Sequence, residues 1–329
     1  MITIERHIAE QENLHKDATG MFSRLIRDLT LSIRIISREV RRAGLNDILG
    51  MTGTENIHGE SVKKLDEFAN NTIIQAMQYG GHVCVLASEE CDDLIYLPKE
   101  SNKGNYILLF DPLDGSSNID ADAPIGTIFS ILKREPRSEL TDGNLDDVLQ
   151  QGNKQIAAGY ALYGSSTVVV LTCGNGVDMF TYDPTLGEFL LSNSNIKMPN
   201  KGKYYSINEG NSINWFDSTT NYVKWVKERD VETNRPYSLR YIGTAVGDIH
   251  RTLIYGGTFL YPSDKKSPNG KLRLMYEVNP LAFIIEQAGG LAITSTGDRV
   301  LDIKPENLHQ RCSIICGSID DVLKANSFI

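Results

Sequence analysis

The sequence predicts an α/β (α+β) protein whose strands deliver acids to their ends, and three observations lead there. Short runs of β-forming residues stop at acid-rich turns, first at His82 to Ser88 before Glu89-Glu90 and again at Tyr106 to Phe110 before Asp111. Between residues 21 and 43, Phe22, Leu25, Ile26, Leu29, Ile33, Ile36 and Val40 recur at helical spacing, with Gly44 after the end. From Gln155 to Leu191, strand-like runs alternate with Gly, Asn and Asp-Pro turns, which reads as an antiparallel meander.

The whole chain narrows the class. Its 329 residues suggest about two domains, and 41% apolar residues suffice for ordinary cores. The N-terminal segment meets charge at Glu5 and Arg6, and apolar runs such as Val168 to Leu171 are too short to span a bilayer, so neither secretion nor a membrane span is expected. The five cysteines are odd in number and lack a C-x-x-C pair, which fits reduced thiols in a cytoplasm. A net charge of -9 argues against a nucleic-acid backbone as partner, while an anionic small molecule requires local bases or metal to invert the sign.

Taken in order, Asp17 to Gly20 places N–H groups at the start of the first long helix, a capping site or an anion site. Residues 44 to 61 have no period and several glycines, which predicts a mobile loop ending at Glu60. A helix then opens through Val62, Leu65, Phe68 and Ala69 and carries Asp66; Glu60 and Asp66 read equally as loop-borne functional acids and as solvated ones. After the next strand, Glu89-Glu90-Cys91-Asp92-Asp93 sets four acids in five residues, and one of the Glu89-Glu90 pair could bind metal while the other handles a proton.

Phe110 to Asn118 concentrates the chemistry. Asp111 is expected to leave the strand and Asp114 to sit one turn on; two carboxylates this close repel unless a cation lies between them, and a hard divalent ion with the Leu113 carbonyl as a further ligand would serve. Gly115 permits close backbone approach, and Ser116 and Ser117 offer donors suited to a phosphate. Read alone, the stretch also fits a solvated Asp-Pro-x-Asp-Gly turn.

The polar segment Ser192 to Lys203 is the candidate domain boundary. Beyond it come a short strand ending near Asn208, a helix around Tyr222 to Val226, and a helix through Asp248 to Leu253 that stops at Gly256-Gly257. Lys265, Lys266, Lys271 and Arg273 put four bases into nine residues of an acidic protein, and Lys271 and Arg273 alternate with Leu272 and Leu274 on one strand face, a pairing suited to an anion. That strand is expected to run through Leu274 to Tyr276 into Glu277, a third strand-end acid, before a Pro-initiated helix stopped by Gly289-Gly290.

With Asp111-Pro112-Leu113-Asp114-Gly115-Ser116-Ser117, Glu89-Glu90 and Glu277 in place, the sequence resembles the metal-dependent sugar phosphatases that include inositol monophosphatases. Ser206 to Gly210, Arg240 to Gly243, Lys265 to Arg273, Tyr276-Glu277 with Asn279-Pro280, and Leu308 to Arg311 narrow the resemblance to class I fructose-1,6-bisphosphatases, in order from about Thr19 to Gly317. Inositol monophosphatases would be expected to carry Trp-Asp where this chain has Tyr276-Glu277.

The resemblance implies a layered αβαβα sandwich, two mixed sheets with helices between and outside, in a homotetramer. It implies a regulatory-type domain over 1–194 bearing most metal ligands and a substrate domain over 195–329. Glu89, Asp111, Leu113, Asp114 and Glu277 would bind two or three Mg²⁺ ions, with Mn²⁺ able to substitute. Glu90 and Asp66 would activate water, assisted by Glu60. Asp114, Gly115, Ser116, Ser117 and Arg273 would surround the 1-phosphate; Asn208, Tyr241, Tyr261 and Lys271 would hold the 6-phosphate and sugar, and Arg240 would reach a neighbouring subunit's site. The implied activity is hydrolysis of the 1-phosphate of fructose 1,6-bisphosphate in gluconeogenesis. The alternatives are a sedoheptulose 1,7-bisphosphatase and a catalytically silent sugar-phosphate sensor.

Departures bear on control. Many members have Asp at the position of Glu60, and AMP-inhibited animal members have Thr-Gly-Glu-Leu-Thr where this chain has Thr19-Gly20-Met21-Phe22-Ser23, Lys-Tyr where it has Asn105-Tyr106, and Arg where it has Lys133. AMP control is therefore left open. No cysteine lies between Cys91 and Cys173, so the thiol switching of chloroplast forms is not expected.

Overall fold

The structure, a computed structural model, describes residues 1–12, 20–43, 51–55, 61–135 and 141–329. The first part contains α1 (Ile4–Glu12), α2 (Met21–Val40), β1 (Met51–Glu55), β2 (Ser61–Lys63), α3 (Lys64–Met77), β3 (Val83–Ser88), β4 (Tyr106–Asp114), β5 (Ile125–Lys133) and α4 (Leu145–Val148). The meander follows as β6 (Ala157–Tyr163), β7 (Thr167–Thr172), β8 (Asp178–Asp183) and β9 (Glu188–Asn193). The last part runs through β10 (Tyr204–Ser206), α5 (Asp217–Lys227), β11 (Ser238–Leu239), α6 (Ala245–Tyr255), β12 (Thr258–Tyr261), β13 (Leu272–Arg273), α7 (Asn279–Gln287), β14 (Leu291–Ile293), β15 (Arg311–Cys312), β16 (Ile314–Gly317) and α8 (Ile319–Asn326).

Strands β3 to β9 form one seven-stranded sheet in sequence order, with β3 and β4 parallel and every later pair antiparallel. A second sheet has the order β11-β10-β12-β16-β14 and is also mixed. The near-continuous apolar runs follow from burial of the large sheet on both faces. On one face, Leu108, Phe129 and Val169 pack beneath Ile8 of α1, Leu25 and Leu29 of α2, and Leu65 and Ile73 of α3. On the other, Ile128, Tyr160 and Val170 meet Val246 and Ile249 of α6 and Leu281 and Ile284 of α7, which pack in turn on Phe259 and Cys316 of the second sheet. Its outer face, with Tyr205, Leu260 and Ile315, lies under Tyr222, Val223 and Val226 of α5 and Val322 and Ala325 of α8. These are the αβαβα layers. The longer helices present apolar stripes at helical spacing to a sheet, and α6 and α7, covered by sheets on both sides, are the most completely buried.

Three local expectations need correction. The segment 44–61 is not loop throughout: β1 and β2 pair antiparallel, with Met51 opposite Lys63 and Glu55 opposite Ser61, so Val62 belongs to a strand and α3 opens at Lys64. Residues 44–50 and 56–60, with Glu60, lie outside the described residues, as do residues 17–19 at the approach to α2.

Asp111 does not leave its strand. β4 continues through Pro112 to Asp114, and between Asp111 opposite Ile128 and Asp114 opposite Gly126 it carries one residue more than β5. This bulge tolerates Pro, which needs no ladder partner for an N–H it lacks. Its other polar groups are satisfied locally: the Leu113 N–H donates to Asp111 Oδ1 at 2.9 Å and the Thr127 hydroxyl to the Pro112 carbonyl at 2.8 Å. In a regular strand, residues three apart face opposite sides; the extra residue lets Asp111 and Asp114 open on the same pocket.

Glu277 is not at a strand end. The chain leaves β13 after Arg273 and winds a single π-helical turn, Leu274–Val278, that runs on into α7. The Glu277 carboxylate reaches back to accept the Arg273 N–H at 2.6 Å, satisfying a donor at the start of that turn.

Candidate active site

A pocket of about 290 Å³ opens where β3 and β4 end, between the two sheets. One wall is acidic. Glu89 and Glu90 follow β3, Asp111, Leu113 and Asp114 come from the β4 bulge, and Glu277 enters from the π turn. Candidate oxygens of Glu89, Asp111 and Glu277 all lie within 4.8 Å of one another, and the three side chains are buried. Burial, and then the charges of Glu89, Asp114 and Glu277, push the Asp111 carboxyl well above the usual carboxylate range. Burial and the Glu89 charge do the same to Glu277 against the pull of the Arg273 N–H.

Such a donor set fits a hard divalent ion. Buried carboxylates raised by mutual repulsion need added positive charge in order to ionise together, and oxygen-only ligands favour hard ions over softer metals. Part of that charge comes from the protein. Arg273 Nη1 lies 2.7 Å from Glu89 Oε1, with both side chains almost wholly buried.

Asp114 occupies a different niche. Thr244 caps α6 with its side chain, and the next two amides point at Asp114: Ala245 N–H to Oδ1 at 3.2 Å and Val246 N–H to Oδ2 at 2.7 Å. Burial raises the Asp114 carboxyl to about 6, and these two hydrogen bonds oppose the rise. The carboxylate thus sits at a helix N-terminus that favours negative charge while its remaining lone pairs face the pocket. Gly115 follows with φ 79°, and a Cβ there would meet Thr244 Cγ2 at 2.1 Å, so the turn into Ser116 can pass this close to α6 only as glycine.

Gly115, Ser116 and Ser117 line the pocket next to the acids, Tyr241, Tyr261 and Lys271 add to the lining, and Arg273 stands among the acids. Asn208 is not in this lining: it caps the turn Glu209–Asn214, lines an adjoining small cavity with Tyr261, and hydrogen-bonds the Tyr241 side chain. Asp66 is buried in the first turn of α3 and does not line the pocket. Arg240 is exposed and also lies outside; it donates to the Leu239 carbonyl at 2.8 Å, and its guanidinium lies 5.6 Å from the Tyr204 ring centroid.

Sequence reasoning overlooked Thr244 and Asp248, both pocket-lining. The Asp248 carboxylate, fully buried, accepts the Ile242 and Gly243 N–H groups and pairs with Arg251 at 2.6 Å, and so holds the turn that presents Tyr241. A Thr cap before Ala-Val-Gly was legible as a helix start; that this start faces Asp114, 131 residues earlier, was not.

Comparison with known proteins agrees along the whole chain. Residues 2–194 match the family described as fructose-1-6-bisphosphatase, N-terminal domain, and residues 198–329 its C-terminal domain. The chain is 55% identical over 328 residues to the fructose-1,6-bisphosphatase class 1 of Chlorobium phaeobacteroides (strain BS1), covering 100% of this chain and 98% of the relative. To that of Cytophaga hutchinsonii it is 52% identical, covering 99% of this chain and 94% of the relative. The crystal structure of Leishmania major fructose-1,6-bisphosphatase in holo form superposes with a TM-score of 0.91 at 40% identity, covering 99% of this chain and 98% of that one. The chain belongs to the class 1 fructose-1,6-bisphosphatase family.

Proposed function

We propose that this chain hydrolyses the 1-phosphate of fructose 1,6-bisphosphate to fructose 6-phosphate and phosphate, in gluconeogenesis and in the cytoplasm. The observation that carries the reading is one pocket that holds a buried three-carboxylate cluster together with two bases, Lys271 and Arg273, the latter ion-paired to Glu89. No helix among the described residues is long and apolar enough to cross a membrane.

Phosphoryl transfer asks for positioning and charge neutralisation more than covalent chemistry. Glu89, Asp111, Asp114, Glu277 and the Leu113 carbonyl would hold two or three Mg²⁺ ions, or Mn²⁺ in their place. When bound, these ions supply positive charge that offsets the phosphate and the carboxylates together. Gly115, Ser116, Ser117 and Arg273 bind and orient the 1-phosphate. Glu90, which lines the pocket, accepts the proton that the attacking water loses, and we assign Asp66, outside the pocket lining, and the loop-borne Glu60 to auxiliary roles in activating that water. Lys271, Tyr241 and Tyr261 fix the sugar and its 6-phosphate, with Asn208 supporting Tyr241. We assign residues 1–194 to a regulatory-type domain with most of the metal ligands and 195–329 to a substrate domain. The assembly is a homotetramer in which Arg240 completes a neighbour's site.

Phosphate release from fructose 1,6-bisphosphate, sedoheptulose 1,7-bisphosphate and inositol phosphate, each with Mg²⁺ and with EDTA, tests this. Mg²⁺-dependent turnover highest for the fructose ester is expected. Preference for the seven-carbon ester moves the substrate assignment, and binding with no turnover of any ester refutes the enzyme reading.

A further inference from the structure

Leu308-His309-Gln310-Arg311 lines no part of the pocket, yet three of its residues bond to segments that do. His309 Nε2 lies 3.2 Å from the Asp92 carbonyl, so the imidazole holds the acidic turn directly after Glu89-Glu90. The Gln310 carbonyl accepts the Leu274 N–H at 2.7 Å, at the first residue of the π turn that delivers Glu277. Arg311 Nη1 donates to the Lys271 carbonyl at 2.5 Å, and Arg311 pairs with Arg273 across β13 and β15. Leu308 anchors the segment in a buried cluster with Ala87, Met275 and Tyr276. The His309 ring packs on Tyr276 with centroids 5.4 Å apart, which fixes the direction of its N–H.

We infer that His309 is a positioning residue that buckles the acidic turn at Glu89 to 93 onto the Lys271–Glu277 segment, holding Glu89 within ligating distance of Asp111 and Glu277. This rests on the metal reading of the acid cluster. The logic is geometric: Glu89 and Glu277 come from segments 188 residues apart in sequence, and no ladder joins β3 to the π turn. The acid turn is tied on its other side through the Ser88 hydroxyl, which donates to Asn70 Oδ1 at 2.7 Å. Three carboxylates that repel one another drift apart unless both sides are held. A rigid ring packed on Tyr276 and bonded to the Asp92 carbonyl restrains the turn at little entropic cost.

The test is Mn²⁺ binding to the full EDTA-stripped chain, followed by the electron paramagnetic resonance signal of free Mn²⁺, for wild type, His309→Phe and His309→Gln. Phe keeps the ring on Tyr276 but removes the donor; Gln restores an N–H at similar reach. Dissociation constants should rise about tenfold or more in His309→Phe, as for other groups that orient metal ligands, and return most of the way in His309→Gln. Wild-type affinity in the Phe variant, or equal weakness in both variants, overturns the inference. Should His309→Phe not fold, His309→Asn replaces it: the same amide on a shorter stem should bind Mn²⁺ weakly where Gln binds well, and equal affinities overturn the idea. Wild-type protein that takes up no Mn²⁺ refutes the metal reading itself, a result separable from the others.

Discussion

Arg273 Nη1 rests 2.7 Å from Glu89 Oε1, which places a permanent cation against one member of a buried cluster of acids. Removing one partner of a buried ion pair leaves the other uncompensated, at a cost of about 3–5 kcal/mol. Arg273→Met should therefore lower the thermal midpoint of the EDTA-treated protein, and Mg²⁺ should recover much of the loss by supplying charge to Glu89. Its kcat/KM should fall by about 10² or more, since the proposed donor to the phosphate goes as well. Arg273→Lys should restore charge without the planar fork, and hence stability more than rate. An unchanged midpoint in EDTA would show that the pair does not stabilise the metal-free state.

Asp114 should impose a pH dependence on the metal-free protein. Its carboxyl is raised from 3.8 to about 6 by burial, so between those values the folded protein holds a proton the unfolded chain has released. Stability is then lost as pH rises from about 4 to about 6, by up to roughly 3 kcal/mol for a shift of two units. In EDTA the denaturant midpoint of wild type should fall relative to that of Asp114→Asn across that window, and the two should run parallel above about pH 7. Asp114→Asn should also abolish turnover while the fold persists; near-normal activity would remove Asp114 from the site.

Gly115→Ala should be severe for so small a change. The added carbon would lie 2.1 Å from Thr244 Cγ2, and φ 79° disfavours any L side chain. Loss of about 1–3 kcal/mol in unfolding free energy is expected. Phosphate turnover should fall further than stability alone explains, because both the Ser116 turn and the α6 cap must shift. Gly187→Ala, also at positive φ but with no atom within 4 Å of the new carbon, is the control. Equal effects at the two positions would leave only the backbone conformation to explain the loss.

Arg240 lies outside the pocket of its own chain and is exposed. If it completes a neighbour's site, hybrids re-assembled from inactive Arg240→Ala and Asp111→Asn chains should regain activity, since some sites then combine one intact pocket with one intact Arg240. Verified mixed oligomers that stay inactive would count against the shared site.

Much of this was readable before any coordinates. The stripe of Leu25, Leu29 and Ile33, the meander from Ala157 to Asn193 and the strand before Glu89-Glu90 are local patterns, and each produced the expected element. Lys271 and Arg273 were read as facing one side, and both line the pocket. The hairpin within 51–63 escaped because five- and three-residue strands leave too short a period to read.

What the sequence determined by itself is an α/β chain with acids clustered near the ends of β3 and β4, bases on a distant segment, and motifs specific enough to indicate a family. Tertiary structure decided how those groups meet. Pairing with β5 created the bulge that turns Asp111 and Asp114 to one side. Packing of α6 between two sheets aimed its first amides at Asp114. The reach of Glu277 to the Arg273 N–H closed a π turn where a strand was expected. The physical reason is common to all three: periodicity records which face of an element is buried, whereas a bulge, a helix-end partner and a buried ion pair depend on backbone groups and charges brought together from distant parts of the chain.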